Sequence, residues 1–421
     1  MTTTAVPVRP VAPPSRPPTG MVIAAIAIAA AVTAVVVVAG LAVRETIWML
    51  EIDFQVYHLA GSAVLSGTSF YDAATMDGFL FIYPPFTALI FAPLGLMNVH
   101  VAFAVWTFAS MLALTAAAWI ALRLVRPESQ VRRAKFALLA TVVALPTAPV
   151  MMHLSVGQIG VLLMLLVLAD LTRRPGRTQG IALGIAAGIK LLPLIFIAYF
   201  LITGRIRAAV VSAATFLATV LVGFLLLPGG SVRWWGGLVL NTERMTPTGA
   251  APFNESMRGV LGQLPGVLHA PWFWLMLAIP VGLAGLAIAA WASRRGMESA
   301  GILACAVTSL LVSPVSWPDH WVWVVPGLAL WMWWSGQRRS SARSWGLTLA
   351  WLVLTAHGVL IFLIVVSVPV LSAASALMPV GLTLLVILNG LSLLGGLGFL
   401  GTLAAVLRRR ERRATSATVS S

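Results

Sequence analysis

The chain has 421 residues, of which 60% are hydrophobic and only 9% charged, with a mean hydropathy of +0.97 and a formal net charge of +15. A soluble protein cannot solvate so apolar a surface, so the composition places the chain among membrane proteins. The basic residues fall in short clusters between apolar runs, which argues against nucleic-acid binding, and the single cysteine, Cys305, leaves no disulfide framework and no zinc motif.

In chain order, residues 1–20 are rich in Pro, Thr and Val, with Arg9 and Arg16 as their only charges, and predict a disordered cytoplasmic tail. The apolar run 21–43 is too long for the core of a signal peptide and lacks a convincing cleavage site, so it reads as the first transmembrane helix. A polar loop follows at 44–80. Further apolar runs lie near 82–97, 99–122, 136–152, 157–171, 179–202 and 206–228. After a second long loop at 229–270 come 271–292, 299–315, 320–335, 345–368 and 378–407. Residues 408–421 form a basic, then Ser/Thr-rich, cytoplasmic tail. Residues 21–407 are thus expected to form one membrane domain.

Orientation follows from the charges. The clusters at 123–135, 173–177, 205–207, 294–295, 338–343 and 408–413 hold 20 of the 27 basic residues. The excess of Lys and Arg on cytoplasmic loops puts all of these, and both termini, in the cytoplasm. The loop 44–80, with Arg44 against Glu45, Glu51, Asp53, Asp72 and Asp77, then faces outward. Two adjustments are needed. One run between 80 and 123, the one after Tyr83-Pro84-Pro85, should be re-entrant or a partial span. The run 179–202 has basic clusters on both sides, so it should be a hairpin broken around Lys190-Leu191-Leu192-Pro193, its tip reaching outward. The expected fold is an all-α polytopic bundle of about 12 passes in the inner (plasma) membrane.

Against this background a few polar groups need explaining. A lone loop Asp is ordinarily a solvated acid. Asp53, however, begins an amphipathic stretch expected in the membrane interface, where a carboxylate beside a cavity can act as a general base. Asp72 and Asp77 fit the solvated reading. Lys190 lies inside an apolar run, where a charge is costly; snorkelling is the ordinary explanation and a lipid-phosphate site the functional one. His320 follows Asp319 between aromatic residues at an expected outer edge, and an imidazole there can donate to a phosphate oxygen. Arg258, in the second outer loop with Asn254 and Glu255, can grip a phosphate or form a surface ion pair. Gln158 sits at another outer edge and can contact a sugar hydroxyl, while His153 is expected to be interfacial. No Gly-rich phosphate loop, HExxH or Ser-based elbow appears, so a nucleotide-activated donor in the cytoplasm is not expected.

The ordered series Asp53-Phe54-Gln55-Val56-Tyr57, Gly67-Thr68-Ser69-Phe70-Tyr71, Phe81-Ile82-Tyr83-Pro84-Pro85-Phe86, Gly157-Gln158, Gly188-Ile189-Lys190-Leu191-Leu192-Pro193, Asn254-Glu255-Ser256 and Ser316-Trp317-Pro318-Asp319-His320-Trp321 resembles a known family. It is similar to the GT-C α-1,2-mannosyltransferases of actinobacteria that use polyprenyl-phosphate mannose, of the phosphatidylinositol mannoside type. The resemblance spans roughly residues 20–410. It implies a GT-C membrane fold, Asp53 as catalytic base, and a donor-phosphate site mapped onto Lys190, His320 and Arg258. Tyr57, Tyr83, Gln158, Asn254 and Asp319 are the expected substrate contacts. Glu51 is the only acid near Asp53, so no paired acids for a divalent metal are evident, and neither metal nor cofactor is expected. The implied partners are polyprenyl-phosphate mannose, a glycolipid acceptor and the bilayer, with the active site on the periplasmic side. Inverting transfer needs one carboxylate only, because the phosphate departs as an anion; a glycosidase needs two. Branching mannosyltransferases of lipomannan and decaprenyl-phosphate-dependent arabinofuranosyltransferases share the motifs. A lipid or sugar transporter is the rival class, but it predicts two related halves, and no internal repeat is visible.

Overall fold

The computed structural model describes residues 16–43, 51–76, 78–125, 129–241, 244, 253–264, 271–337, 346, 349–350, 352–353, 356–357, 359–360 and 378–419. Most of the expected N-terminal tail, Arg44, Glu45, Asp77, parts of the second outer loop and most of the run 345–368 lie outside the described residues. Those that are described are almost entirely helical, with a single isolated bridge between Ala74 and Leu80.

The first helix, α1 (Thr19–Val43), packs on α4 (Val99–Ala121), which also meets α5 (Gln130–Ala144) and α7 (Gly160–Leu171). Between α1 and α4 lie α2 (Ile52–Ser66) and α3 (Pro85–Gly95), packed against each other. α6 (Ala148–Val156) joins α5 to α7. Then come α8 (Ile181–Ile189), α9 (Ile195–Ile202), α10 (Ile206–Leu226), α11 (Pro228–Trp235) and α12 (Met257–Gly262). The chain ends with α13 (Pro271–Arg294), α14 (Glu298–Val312), α15 (Val324–Gln337) and α16 (Met378–Val419). Exposed apolar side chains such as Val210, Leu217, Leu221 and Leu225 on α10 recur at near-helical spacing and form a lipid-type face.

Among the described residues, five helices are long and apolar enough to cross a bilayer: Thr19–Val38, Val99–Val125, Ile206–Leu226, Trp272–Arg294 and Val386–Arg413. α5 and α6, bent by 76°, make a sixth if taken as one span. Other apolar helices are shorter, among them the run after Tyr83-Pro84-Pro85, expected from the sequence to be re-entrant or a partial span. α3 has 11 residues, about 16 Å at 1.5 Å per residue, against a hydrocarbon core of about 30 Å. α7, with 12 residues, and α14, with 15, are likewise short although their runs read as whole spans; α14 ends two residues before Pro314.

The hairpin at Lys190 follows from its neighbours. Gly180 abuts Ala208, Gly184 abuts Ser212 and Gly188 abuts Thr219, so α8 and α10 run parallel. α9 ends only a few residues before α10 begins, so it must run back between them in direction, and the chain reverses at Lys190. Pro193 explains the break: its ring excludes the helical carbonyl four residues earlier, that of Ile189. Lys190 turns extended at φ −146°, ψ 134°. The freed Ile189 carbonyl accepts the Thr87 hydroxyl from α3 at 2.6 Å.

At the other ends of these helices the basic turns gather. Arg205 pairs with Glu298 at 2.7 Å, Arg294 donates to the Ile202 carbonyl at 2.8 Å, and Arg295 pairs with Glu411 of α16. α16 stays helical through Val419, so the basic residues 408–413 continue the same helix.

The α8–α10 contact yields the first prediction. Gly188→Val would drive side-chain atoms into Thr219. Overpacking of this kind costs about 1–3 kcal/mol, so the variant should melt earlier in detergent. Gly390→Ala in α16, with open space around it, should melt like the native protein or later.

Candidate active site

Asp53 stands in the first turn of α2, outside the long spans. The turn is set by Glu51, the one non-glycine with positive φ (61°) among the described residues. Its N–H donates to the Ser155 carbonyl of α6 at 2.8 Å, and its carboxylate lies 3.5 Å from His100 Nδ1. The acid nearest to Asp53 in sequence is therefore engaged elsewhere. α6 ends at Gly157, whose φ is +73°. A Cβ there would also lie 2.6 Å from that of Phe54, so only glycine satisfies both backbone and space. Trp106 Nε1 donates to the Gly157 carbonyl at 2.8 Å. These bonds hold the start of α2 against the α6–α7 junction, and the next residue is Gln158.

Gln158 is the hub. Its Nε2 donates to Asp53 Oδ2 at 2.9 Å. Its Oε1 takes the Ile159 N–H at 3.0 Å, the Tyr57 hydroxyl, and at 3.4 Å both the Tyr83 hydroxyl and Lys190 Nζ. The two tyrosine hydroxyls are 2.9 Å apart. Lys190 Nζ lies 2.9 Å from His320 Nε2 and 5.3 Å from the Tyr83 ring centre. His320 Nδ1 accepts the Trp317 N–H at 3.3 Å, and its Nε2 lies 3.6 Å from Asp319 Oδ2. Six of the expected site residues besides Asp53 itself are thus gathered: Tyr57, Tyr83, Gln158, Lys190, Asp319 and His320.

The other two stand apart. Asn254 spends its amide on backbone: Nδ2 donates to the Pro314 carbonyl at 3.0 Å, and Oδ1 accepts the N–H groups of Ser316 at 2.9 Å and Ser256 at 3.1 Å. It braces the irregular segment that leads to Asp319 and His320. Arg258 sits with its guanidinium 5.7 Å from the Trp274 ring centre and does not line the cavity beside Lys190. His153, expected at an interface, is fully buried with both ring nitrogens unpartnered. Asp72 is exposed and held by Arg233 at 2.6 and 2.8 Å. His357 lies 3.3 Å from the buried Glu255.

Burial pushes the Asp53 carboxyl up to about 6, with Lys190 and the Gln158 hydrogen bond pulling the other way. Burial, and next the charge of Asp53, push Asp319 up to about 7 against the pull of Lys190. Two acids and one ammonium thus share one desolvated corner.

That corner opens on a cavity of about 470 Å³. Tyr83, Lys190, Trp234, Trp317 and His320 contribute its polar and aromatic wall, and apolar side chains such as Leu192, Ile195 and Val312 the rest. Trp234 and Trp317 carry no charge to mark them, and the sequence reading passed over both as cavity walls. Among the described residues no group of three or more His, Cys, Asp or Glu is arranged to hold a metal ion.

A helical membrane protein with an acid, a lysine and a histidine beside an apolar cavity is the kind of site a membrane-embedded transferase requires. Residues 81–314 match glycosyltransferase family 87, and the chain belongs to that family. It is 34% identical over 320 residues (73% of this chain, 75% of the relative) to a polyprenol-phosphate-mannose-dependent alpha-(1-2)-phosphatidylinositol pentamannoside mannosyltransferase of Mycolicibacterium smegmatis. A relative of the same description from Mycobacterium tuberculosis is 36% identical over 319 residues, 73% of this chain and 72% of the relative. A polyprenol-phosphate-mannose-dependent alpha-(1-2)-phosphatidylinositol mannoside mannosyltransferase of Mycolicibacterium smegmatis is 35% identical over 310 residues, 66% and 69% respectively. No solved structure matches the chain.

The hub yields the second prediction. Gln158→Leu keeps the volume but leaves Asp53 and the tyrosine hydroxyls without their shared partner. Each stranded buried polar group costs about 1–3 kcal/mol. The variant should melt earlier in detergent and lose at least tenfold in turnover, whereas a native turnover number would show that Gln158 does not hold the site together.

Proposed function

We propose that the chain is an inverting mannosyltransferase that moves mannose from polyprenyl-phosphate mannose to a phosphatidylinositol mannoside, forming an α-1,2 linkage. The observation that carries this reading is the chain of contacts from Asp53 through Gln158 to Lys190 and His320 at the edge of a largely apolar cavity. A lipid phosphate has matching parts: a hydrocarbon tail for the apolar wall and an anion for the two nitrogen groups. The printed activities of the relatives supply the donor, the acceptor class and the linkage.

In this mechanism Asp53 takes the proton of an acceptor hydroxyl as that oxygen attacks the anomeric carbon. The bond from that carbon to the phosphate oxygen breaks, and the electron pair leaves with the phosphate. Lys190 and His320 bind the charge that grows there. No general acid is required, since the leaving group is already a stable anion. A divalent cation is not required either, because the positive charge beside Asp53 and Asp319 is supplied by Lys190. Attack from the face opposite the phosphate converts a β-linked donor into an α-linked product.

The site is read as periplasmic, with both termini cytoplasmic and the protein in the plasma membrane. The helix tips that carry Gln158, Lys190 and His320 all lie at the ends away from the basic turns, which supports that orientation. An expected total of about 12 passes fits the same orientation.

Purified enzyme given radiolabelled polyprenyl-phosphate mannose and a phosphatidylinositol mannoside in detergent should transfer label to the glycolipid. Labelled donor that crosses vesicles without any transfer would instead favour a transporter. General base catalysis contributes ~10²–10⁴-fold, so Asp53→Asn should lose about that much turnover and keep its donor affinity; an Asp53→Asn enzyme near native activity would sink the assignment. The base must be ionised to act. Because burial raises its pKa to about 6, kcat/KM should fall as pH drops through that value, rather than near the ordinary aspartate range. A pH profile flat down to pH 5 would contradict Asp53 as the base.

A further inference from the structure

The imidazole of His320 makes two contacts that ask for opposite tautomers. Its Nδ1 faces the Trp317 N–H at 3.3 Å. That contact is local, because the His320 N–H donates back to the Trp317 carbonyl at 2.9 Å across a turn in which Pro318 fixes the backbone. Its Nε2 faces Lys190 Nζ at 2.9 Å. A neutral imidazole has one N–H and one lone pair. With Nδ1 accepting from Trp317, Nε2 carries the proton. An ammonium has donors only, so Nζ bonds to Nε2 only where Nε2 is bare and the proton sits on Nδ1. While Lys190 is charged, the two contacts cannot both be hydrogen bonds. A doubly protonated ring satisfies neither, and would set two cations 2.9 Å apart.

Magnitudes decide which contact yields. A hydrogen bond to a charged group contributes about 1.5–3 kcal/mol and a neutral one about 0.5–1.5 kcal/mol. The shorter contact is also the charged one, so the ring proton belongs on Nδ1 and the Trp317 N–H is the group left without an acceptor. An anion reverses this balance. Its oxygens accept from the ammonium, so Lys190 no longer needs the Nε2 lone pair. Nε2 can then carry the proton towards the anion, and Nδ1 can accept from Trp317. Asp319 Oδ2 stands 3.6 Å from Nε2, too far to take that proton's hydrogen bond in the anion's place. Lys190, half-buried, and His320, 8% exposed, both line the cavity of about 470 Å³, so one anion has access to both.

We propose that His320 switches tautomer when the lipid phosphate binds: a phosphate oxygen accepts from Lys190 Nζ and from His320 Nε2–H, and the Trp317 N–H on Nδ1 holds the ring in that form. This rests on the donor being a polyprenyl-phosphate sugar, as proposed above. One proton leaves Nδ1 and one arrives at Nε2, both by exchange with water, so the ring stays neutral and the charge of the site is unchanged. Lys190 is then the single cation on the phosphate and His320 a neutral donor beside it. The backbone of Trp317 is the positioning group, because it makes the imidazole a donor rather than an acceptor on the cavity side.

The test uses the full-length enzyme in detergent, carrying histidine labelled with ¹⁵N at Nδ1 only, with polyprenyl-phosphate mannose as the probe and no acceptor present. NMR separates a protonated ring nitrogen from a bare one, and the His320 signal is the one missing from His320→Gln, or from His320→Asn if the first variant does not fold. Without donor the signal should be that of a protonated nitrogen, and saturating donor should convert it to that of a bare one. A second arm replaces Trp317 by its α-hydroxy analogue, which turns the amide N–H into an ester oxygen and keeps the side chain. There the donor KM should rise about tenfold, equivalent to about 1.4 kcal/mol, with the acceptor KM unchanged, and the Nδ1 signal should stay protonated when donor is added. A native signal that donor leaves unchanged, or a native donor KM in the ester variant, overturns the switch. If the native enzyme transfers no mannose to a glycolipid, the donor reading fails and this inference fails with it; native transfer with an unchanged Nδ1 signal overturns the switch alone.

Discussion

A helix that breaks inside an apolar bundle frees backbone groups, and no water is at hand to take them. Each must find a partner within the protein. The architecture of the site follows from how this chain meets that demand. The carbonyl of Ile189, released where Pro193 ends α8, takes the Thr87 hydroxyl. The carbonyl of Pro314 and the N–H of Ser316, released past α14, are taken by Asn254. The carbonyl of Gly157, past α6, takes the Trp106 indole. Each repair comes from a different part of the chain, α3 for Thr87, α4 for Trp106 and the segment before α12 for Asn254, so each cross-links two segments. The three repaired tips carry Lys190, His320 and Gln158. The proposed site therefore sits on loose ends of helices that are tied to other parts of the chain.

The same constraint governs charge. A lysine in this desolvated corner has to be compensated, and Asp53 and Asp319 both act on it. Neither acid is fully neutralised by one ammonium, so burial shifts both carboxyls upward. An anionic substrate entering this corner meets Lys190 and His320 on one side and two acids that repel it on the other. The arrangement favours a ligand whose anion can lie at one edge only. A phosphate on the end of an apolar tail meets that condition better than a free ion, because the tail in the cavity fixes where the anion stops.

Much of this was legible in the sequence, and the reason is physical. Ionisable residues in apolar runs are costly, so Lys190 and the Asp319-His320 pair announce themselves without a structure. Prolines beside them mark the breaks, and clusters of Arg mark the opposite ends. That logic expected a hairpin broken at Lys190 and an outward-facing Asp53; the contact of Asp53 with Gln158, 105 positions away, is a finding of the structure. It failed where a side chain's role depends on what it meets. Asn254 looked like a substrate contact and is a backbone brace. Arg258 looked like a phosphate ligand and faces Trp274. His153 looked interfacial and is buried. Polarity alone cannot distinguish a group aimed at a ligand from one spent on the fold. Run length misled as well: an apolar run is scored by composition, whereas α7 has only 12 residues and α14 ends short of Pro314 after 15.

The division of labour along the cavity explains why so few polar groups suffice. Family 87 membership defines a transferase, but transfer from a lipid phosphate asks the protein for little covalent chemistry. The leaving group is stable, so no acid is needed. The hydrocarbon provides binding energy through apolar burial, so no charged clamp is needed at the tail. What remains is to hold one carboxylate, one ammonium and one imidazole in register. In a chain that is 9% charged, each of those groups stands in surroundings of low polarity, where a single pair interacts more strongly than it would in water. Sparse charge is thus the condition under which, in the proposed mechanism, one aspartate and one lysine have enough electrostatic reach to act.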